Sequence, residues 1–82
     1  MRDGAAVAFN MSDVDFIDSI GLVFLLRMRE ITETKGGSFA IYNLRPRVDR
    51  VLKRLNLSRI LNIIESAEDY FSGMKERELS VV

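Results

Sequence analysis

The residues best able to do chemistry in this chain are a serine and the acidic residues before it. Ser19 follows Asp13, Asp15 and Asp18 and opens a strongly apolar segment, residues 20–26. A serine at the start of a helix can accept a hydrogen bond from a free amide of the first turn. The same hydroxyl can instead be phosphorylated by a kinase, which would make the position a charge switch. Both interpretations fit the residues.

Other kinds of chemistry are disfavoured by the residue types that the sequence lacks. There is no histidine and no cysteine, so the usual zinc sites and the serine–histidine and cysteine–histidine pairs are excluded. No glycine-rich phosphate-binding motif is present. Asp13 could begin a calcium-binding loop, but Phe24 occupies the twelfth position, where the acid is required. We therefore predict no metal, no cofactor and no enzymatic activity.

The composition is that of one small globular domain spanning residues 1–82. Of the 82 residues, 48% are hydrophobic, and twelve basic residues balance twelve acidic ones. That balance argues against a general attraction to nucleic acid or to an anionic membrane. The longest apolar run, residues 22–26, is too short to cross a bilayer. Because the absence of cysteine suits a reducing compartment, we predict a cytoplasmic location.

Alternating strand and helix patterns predict a small parallel sheet with helices packed on it. Strands are expected at residues 5–10, 39–42 and, as a brief third strand, 62–64. Helical segments are expected at residues 19–34, 46–55, 57–61 and, after a Ser66–Asp69 capping box, from residue 67 onward. Residues 11–18 are expected to form a loop whose Val14, Phe16 and Ile17 tuck into the core. The tail at residues 75–82 is expected to be frayed. Three strands leave open sheet edges, which favours self-association and makes a homodimer plausible.

The first helix carries more apolar surface than one docking face needs. Its predicted docking stripe consists of four residues, Ile20, Phe24, Met28 and Ile31. A different side of the helix presents Leu22, Val23 and Leu26. Either another element of the same domain covers this second side, or it is a partner surface beside Ser19.

The second helix combines an apolar stripe with a basic face. The basic residues are Arg47, Arg50, Lys53 and Arg54. Such a face is ordinarily solvated, and binding to an acidic protein surface is the main alternative. Nucleic acid is disfavoured because few aromatic residues are interleaved with the charges.

The segment DVDFIDSIGL at residues 13–22 resembles the central signature of STAS domains, the anti-sigma-factor antagonists. In that family an acidic and apolar loop leads into Asp-Ser-Ser/Thr-Gly-Leu. Further motifs follow in the family's order: KGG at residues 35–37, NLRPRV at 43–48, and LNL at 55–57. The resemblance covers about residues 5–71.

The resemblance implies an α/β fold of the STAS type and a phosphorylation-controlled partner switch in bacteria. Ser19 matches the serine that an anti-sigma factor, itself a serine kinase, phosphorylates and that a PP2C-type phosphatase restores. The unphosphorylated antagonist sequesters the kinase, which then releases its sigma factor. An alternative is a structural STAS module, without phosphorylation, in a transporter, lipid-transport or stress-sensing assembly. The residues expected to bind the partner are Asp18, Ile20, Gly21, Leu22, Val23 and Leu26.

Two features depart from the family pattern. Ile20 replaces the Ser or Thr that usually follows the acceptor, which leaves one hydroxyl for modification and can alter recognition by a kinase. Family members also carry two strands and a helix before the strand at residues 5–10. We therefore expect a STAS-like domain that is short at its N-terminus and lacks roughly the first third of the fold.

Overall fold

Two parallel strands joined by a long helix form the centre of this domain. The computed structural model describes residues 4–74, so the tail predicted to be frayed lies outside the described residues. The elements are β1 (Ala6–Asn10), α1 (Ser19–Thr34), β2 (Ser38–Tyr42), α2 (Pro46–Arg54), α3 (Ser58–Leu61) and α4 (Ala67–Met74). They confirm the predicted α/β class with a small parallel sheet and helices packed on it.

The pairing of β1 with β2 determines which loops lie together. The register runs from Ala6 opposite Ser38 to Asn10 opposite Tyr42. Because the strands are parallel, the loops that follow Asn10 and Tyr42 both leave the carboxyl end of the sheet. The loop before Ser19 is therefore a neighbour of the loop that leads into α2.

The turn between α1 and β2 closes the opposite end of the sheet. Gly36 has a φ of 80°, a conformation that favours glycine. At the next position, a Cβ on Gly37 would collide with the carbonyl oxygen of Ala5. That same oxygen accepts a hydrogen bond from the Ser38 amide at 3.0 Å. The predicted helix stop therefore has two causes. Gly36 adopts the left-handed turn after α1, and Gly37 allows the start of β2 to lie against Ala5.

The predicted third strand is reduced to a single parallel bridge between Ile41 and Ile63. The Ile41 amide donates to the Asn62 carbonyl at 3.1 Å, and the Ile64 amide donates to the Ile41 carbonyl at 2.9 Å. Asn62 has a φ of 57° and ends α3 in the left-handed region. Extended chain therefore begins only at Ile63, which leaves too few residues for a strand.

The prediction of the docking stripe on α1 was wrong. Ile20, Phe24 and Ile31 are 78%, 55% and 44% exposed, and of the predicted stripe only Met28 packs against the buried core. The face that docks on the core instead carries Leu22, Leu25, Leu26 and the fully buried Thr32. Thr32 is tolerated there because its hydroxyl donates to the Met28 carbonyl oxygen at 2.7 Å.

The rest of the core joins β2 to the later helices. Its largest fully buried members are Ile41 from β2, Val48 and Leu52 from α2, and Leu61 from α3. Helix α4 begins as its sequence predicts, since the Asp69 amide donates to the Ser66 hydroxyl at 3.1 Å. Over residues 4–74, no helix combines the length and the apolar character needed to span a membrane.

Candidate functional site

Helix α1 is capped by Asp18, and Ser19 is its first helical residue. Oδ1 of Asp18 accepts a hydrogen bond from the Gly21 amide at 2.9 Å, and its backbone carbonyl accepts one from the Leu22 amide at 2.9 Å. Asp18 itself is extended, with a φ of −108° and a ψ of −175°. The interpretation of Ser19 as the helix cap is therefore wrong, because the carboxylate of Asp18 accepts the hydrogen bond from a free amide of the first turn.

The Ser19 side chain lies at the surface. The residue is exposed, and its hydroxyl makes no hydrogen bond with any part of the chain from residue 4 to residue 74. A hydroxyl in this position can be approached by another protein without breaking an internal contact. The geometry thus meets the first requirement for a modifiable serine.

The loop over residues 11–18 is anchored at several points before it reaches the serine. The Met11 amide donates to the Tyr42 carbonyl at 2.9 Å, and the Val14 amide donates to the Met11 carbonyl at 3.0 Å. Val14 and Ile17 pack against the core, whereas Asp13, Asp15 and Asp18 are exposed. The loop therefore packs Val14 and Ile17 inward and directs its carboxylates to solvent.

Exposed apolar residues precede and follow Ser19 in the chain and form a surface at the start of α1. We call it the outer apolar face and define it as Phe16, Ile20, Val23 and Phe24. Phe16 and Val23 are 60% and 54% exposed, close to the value for Phe24, and Ile20 is the most exposed of the four. Large apolar patches are uncommon on monomers away from interaction sites. The outer apolar face is thus well suited to bind a protein partner.

A cavity of about 390 Å³ opens between α1 and the loop that precedes it. Its lining is mostly apolar and includes Phe9, Met11, Val14, Phe16 and Phe24. Phe24 is held in place because its ring stacks on Phe9, with centroids 6.0 Å apart and planes inclined by 11°. A partner would therefore meet one ordered aromatic surface beside the serine.

The structure divides the residues that were predicted to bind a partner. Ile20 and Val23 belong to the outer apolar face, and Asp18 is exposed at the cap. Leu22 and Leu26 are half-buried and pack on the core. Gly21 is half-buried, and a Cβ at that position would lie 2.9 Å from Cγ1 of Ile17. The partner-binding role of the six residues stays a prediction. The exposed ones, Asp18, Ile20 and Val23, are now the stronger candidates.

Sequence reasoning missed Phe16 and Phe24 as exposed residues. Phe16 was expected to tuck into the core with Val14 and Ile17, and Phe24 was assigned to the docking stripe. Alternation along the loop could not have revealed this, since it would place Val14 and Phe16 on the same side, whereas Val14 lies inward and Phe16 outward. Among residues 4–74, no three acidic side chains are grouped so that they could hold a metal ion.

The fold and the site together define a small α/β domain that presents a serine on the first turn of a helix at the carboxyl end of a parallel sheet. The sequence model of the STAS domain family matches residues 2–70. The chain belongs to this family, which confirms the resemblance found in its motifs.

Two relatives of the chain come from Thermotoga species. A candidate anti-sigma factor antagonist of Thermotoga neapolitana is 33% identical over 67 residues, which cover 82% of this chain and 59% of the relative. A candidate anti-sigma factor antagonist of Thermotoga maritima is 30% identical over the same length and coverage. The chain thus spans somewhat less than three fifths of the relatives it matches.

Solved structures give the same result for the fold. A crystal structure of the Thermotoga maritima candidate antagonist superposes with a TM-score of 0.76 at 29% identity, covering 83% of this chain and 58% of the other. An NMR structure of the same protein superposes with a TM-score of 0.69 at 30% identity, covering 88% and 54%.

Proposed function

We propose that this chain is an anti-sigma-factor antagonist whose binding is controlled by phosphorylation of Ser19. In its unphosphorylated form it sequesters an anti-sigma serine kinase in the bacterial cytoplasm, and a PP2C-type phosphatase restores that form. It acts by binding and catalyses no reaction itself. Membership of the STAS family and the names of the Thermotoga relatives support the general role.

One observation carries the proposal at the level of residues: an exposed serine, whose hydroxyl makes no hydrogen bond to residues 4–74, stands next to the outer apolar face. Ser19 and Ile20 are adjacent in the chain, and Val23 follows one helical turn later. A partner that buries Ile20 and Val23 must also bring its surface close to the Ser19 hydroxyl. Binding and modification would then compete for one patch.

The charge of a phosphate explains how such a switch works. The first turn of α1 contains no acidic residue beyond the cap, and a helix N-terminus favours an anion. The modified helix should therefore stay folded. A partner docked on the outer apolar face would have to dehydrate about two negative charges or place them against its own groups. A loss of about 1.4 kcal/mol already weakens binding tenfold.

Variants of Ser19 test the proposal directly. Binding of the full chain to anti-sigma kinases from the same bacterium is measured by calorimetry, and phosphorylation is followed by intact-mass measurement with ATP and magnesium. Ser19→Ala should bind like the parent and accept no phosphate. Ser19→Asp should bind at least tenfold more weakly, because it places a permanent charge beside Ile20.

A control variant separates a local effect from added charge in general. Ser72 is another exposed serine, on α4, so Ser72→Asp adds the same charge outside the site and should not weaken binding. The proposal is overturned if Ser19→Asp binds as tightly as Ser19→Ala, or if the phosphate is found elsewhere.

A structural STAS module remains the second candidate because of Ile20. This residue stands where family members usually carry Ser or Thr, and among residues 4–74 it is the most exposed large apolar residue. A surface isoleucine favours a permanent apolar contact over a contact released by phosphorylation. Under this alternative, no kinase phosphorylates Ser19, and Ile20→Lys abolishes binding to the assembly.

A further inference from the structure

A single arginine connects the loop before Ser19 to the start of α2. Arg45 donates from Nε to the carbonyl oxygen of Ser12 at 2.6 Å. Its Nη1 lies 3.1 Å from Oδ1 of Asp15. One guanidinium therefore contacts the loop at two points, its backbone at residue 12 and a side chain at residue 15.

A second connection joins the same two loops nearer the sheet. Oδ1 of Asn10 accepts hydrogen bonds from the Ser12 amide at 3.0 Å and from Nδ2 of Asn43 at 3.2 Å. Asn43 has a φ of 59°, in the left-handed region that asparagine adopts more readily than most residues. This turn follows β2 and leads the chain to Arg45, so the two connections support each other.

The contact of Arg45 with the loop is not a by-product of helix capping. Arg45 occupies the N-cap position of α2, yet its side chain makes no capping hydrogen bond. The ion pair is exposed, with 52% of the Arg45 side chain and 76% of the Asp15 side chain accessible. Such a pair contributes little alone. The short hydrogen bond to the Ser12 carbonyl fixes the orientation of the Arg45 side chain, because the planar guanidinium must align with both acceptors.

We propose that Arg45 is a positioning residue for the Ser19 site. By restraining residues 12 and 15, it sets the path of the loop and hence how Phe16 and Ser19 are presented to a partner. The inference rests on the proposed function only for the importance of Ser19. The restraint of the loop by Arg45 can be tested on the free protein.

Arginine and lysine differ in what they can supply here. A lysine ammonium carries the same charge but lacks the planar fork that can reach a carbonyl and a carboxylate together. If Arg45 acts through this fork, Arg45→Lys should behave like Arg45→Ala. If it acts only through its charge, lysine should restore the parent behaviour.

Amide hydrogen exchange measured by NMR on the full chain gives the test. The reporters are the amides of Ser12, Val14 and Gly21, whose acceptors are Asn10 Oδ1, the Met11 carbonyl and Asp18 Oδ1. We expect roughly three- to tenfold faster exchange at Ser12 and Val14 in both Arg45 variants. A smaller acceleration is expected at Gly21, which reports whether the disturbance reaches the helix start beside Ser19.

Two controls make the test specific. Arg47→Ala removes a neighbouring exposed arginine whose side chain has no hydrogen bond or ion pair within residues 4–74, and it should leave all three amides unchanged. The Ile41 amide, bonded to the Asn62 carbonyl inside the core, should be unchanged in every variant. This second control shows that the Arg45 variants remain folded.

The outcomes separate this inference from the proposed function. Unchanged exchange at Ser12 and Val14, rescue by lysine, or a disturbance that fails to reach Gly21 would each overturn the positioning role. Failure of every kinase to phosphorylate Ser19 in the parent chain would contradict the proposed function and leave the exchange result intact.

Discussion

Adjacent side chains at the start of α1 have different roles. Asp18 Oδ1 satisfies the Gly21 amide, whereas the Ser19 hydroxyl is exposed and makes no hydrogen bond within the described range of residues 4–74. This separation matters because phosphorylation of a capping serine would change the very oxygen that accepts from the first turn. Here the contact and the modifiable group are on different residues.

Stability measurements on the two positions test this separation. Asp18→Ala should lower the free energy of unfolding by about 0.5–2 kcal/mol, because the Gly21 amide loses its acceptor. Ser19→Ala should change it by less than about 0.5 kcal/mol, as expected for a surface residue without contacts. Urea unfolding followed by circular dichroism gives both values. Asp18→Asn, which keeps a capping oxygen, should stay near the parent, and a larger loss at Ser19 than at Asp18 would contradict the assignment.

At the scale of elements, helix α1 shows why a sequence can predict a helix and still fail to predict its orientation. Its bounds at residues 19 and 34 were predicted correctly, since the polar loop before it and the glycine pair after it are strong local signals. Its first two turns are apolar on nearly every side, so periodicity alone could not identify the buried face.

Polar residues later in the helix explain why its buried side was hard to predict. Arg29 and Glu33 lie on the same side of the helix as Leu22 and Leu26. In the structure they form an ion pair at 3.3 Å beside the docked face. Thr32 is buried because its hydroxyl bonds to its own helix. Neither arrangement is visible in a hydrophobicity pattern, because both depend on hydrogen-bond and charge partners within the folded helix.

Matched alanine variants on the two sides of α1 test the observed orientation. Leu25 is almost fully buried, so Leu25→Ala should destabilise the domain by about 2–5 kcal/mol. Ile20 is exposed, and Ile20→Ala should cost less than about 0.5 kcal/mol. Thermal and urea unfolding report both changes. Equal losses at the two positions would mean that Ile20 is covered in solution, against the orientation described.

The candidate site also combines features that the sequence predicts with one that it does not. Local signals in DVDFIDSIGL located Ser19 and the loop before it, because acidic residues and a helix start can be read from neighbouring positions. The connection from Arg45 could not be read in this way. It joins residues 33 positions apart in the chain, and only the parallel pairing of β1 with β2 brings the two loops together.

At the scale of the whole molecule, the exposed features lie on a domain with a very small sheet. Within residues 4–74, β1 pairs with β2 and with no other strand, so one side of β1 offers unpaired backbone groups. The outer apolar face adds exposed aromatic and aliphatic surface, and a formal net charge of zero provides no general repulsion between copies. These properties favour the predicted homodimer, which stays a prediction.

Sedimentation velocity over a range of protein concentrations tests self-association. We expect the weight-average sedimentation coefficient to rise with concentration, because burying the outer apolar face removes apolar surface from water. The double variant Ile20→Lys, Val23→Lys should shift the chain towards monomer without lowering its thermal stability, since both residues are exposed. A parent chain that sediments as a monomer at every concentration would rule out the homodimer.

The parallel direction of the two strands also has a practical use. Helix α1 returns the chain from the Ser19 end of the sheet to the Gly36 turn, and its 16 residues span about 24 Å at 1.5 Å per residue. Lys35 is exposed at that far end. A fluorescent label or a surface tether attached at Lys35 would leave the serine open to enzymes in solution. Under the proposed function, the domain could be immobilised in this way to record phosphorylation and dephosphorylation of Ser19 in real time.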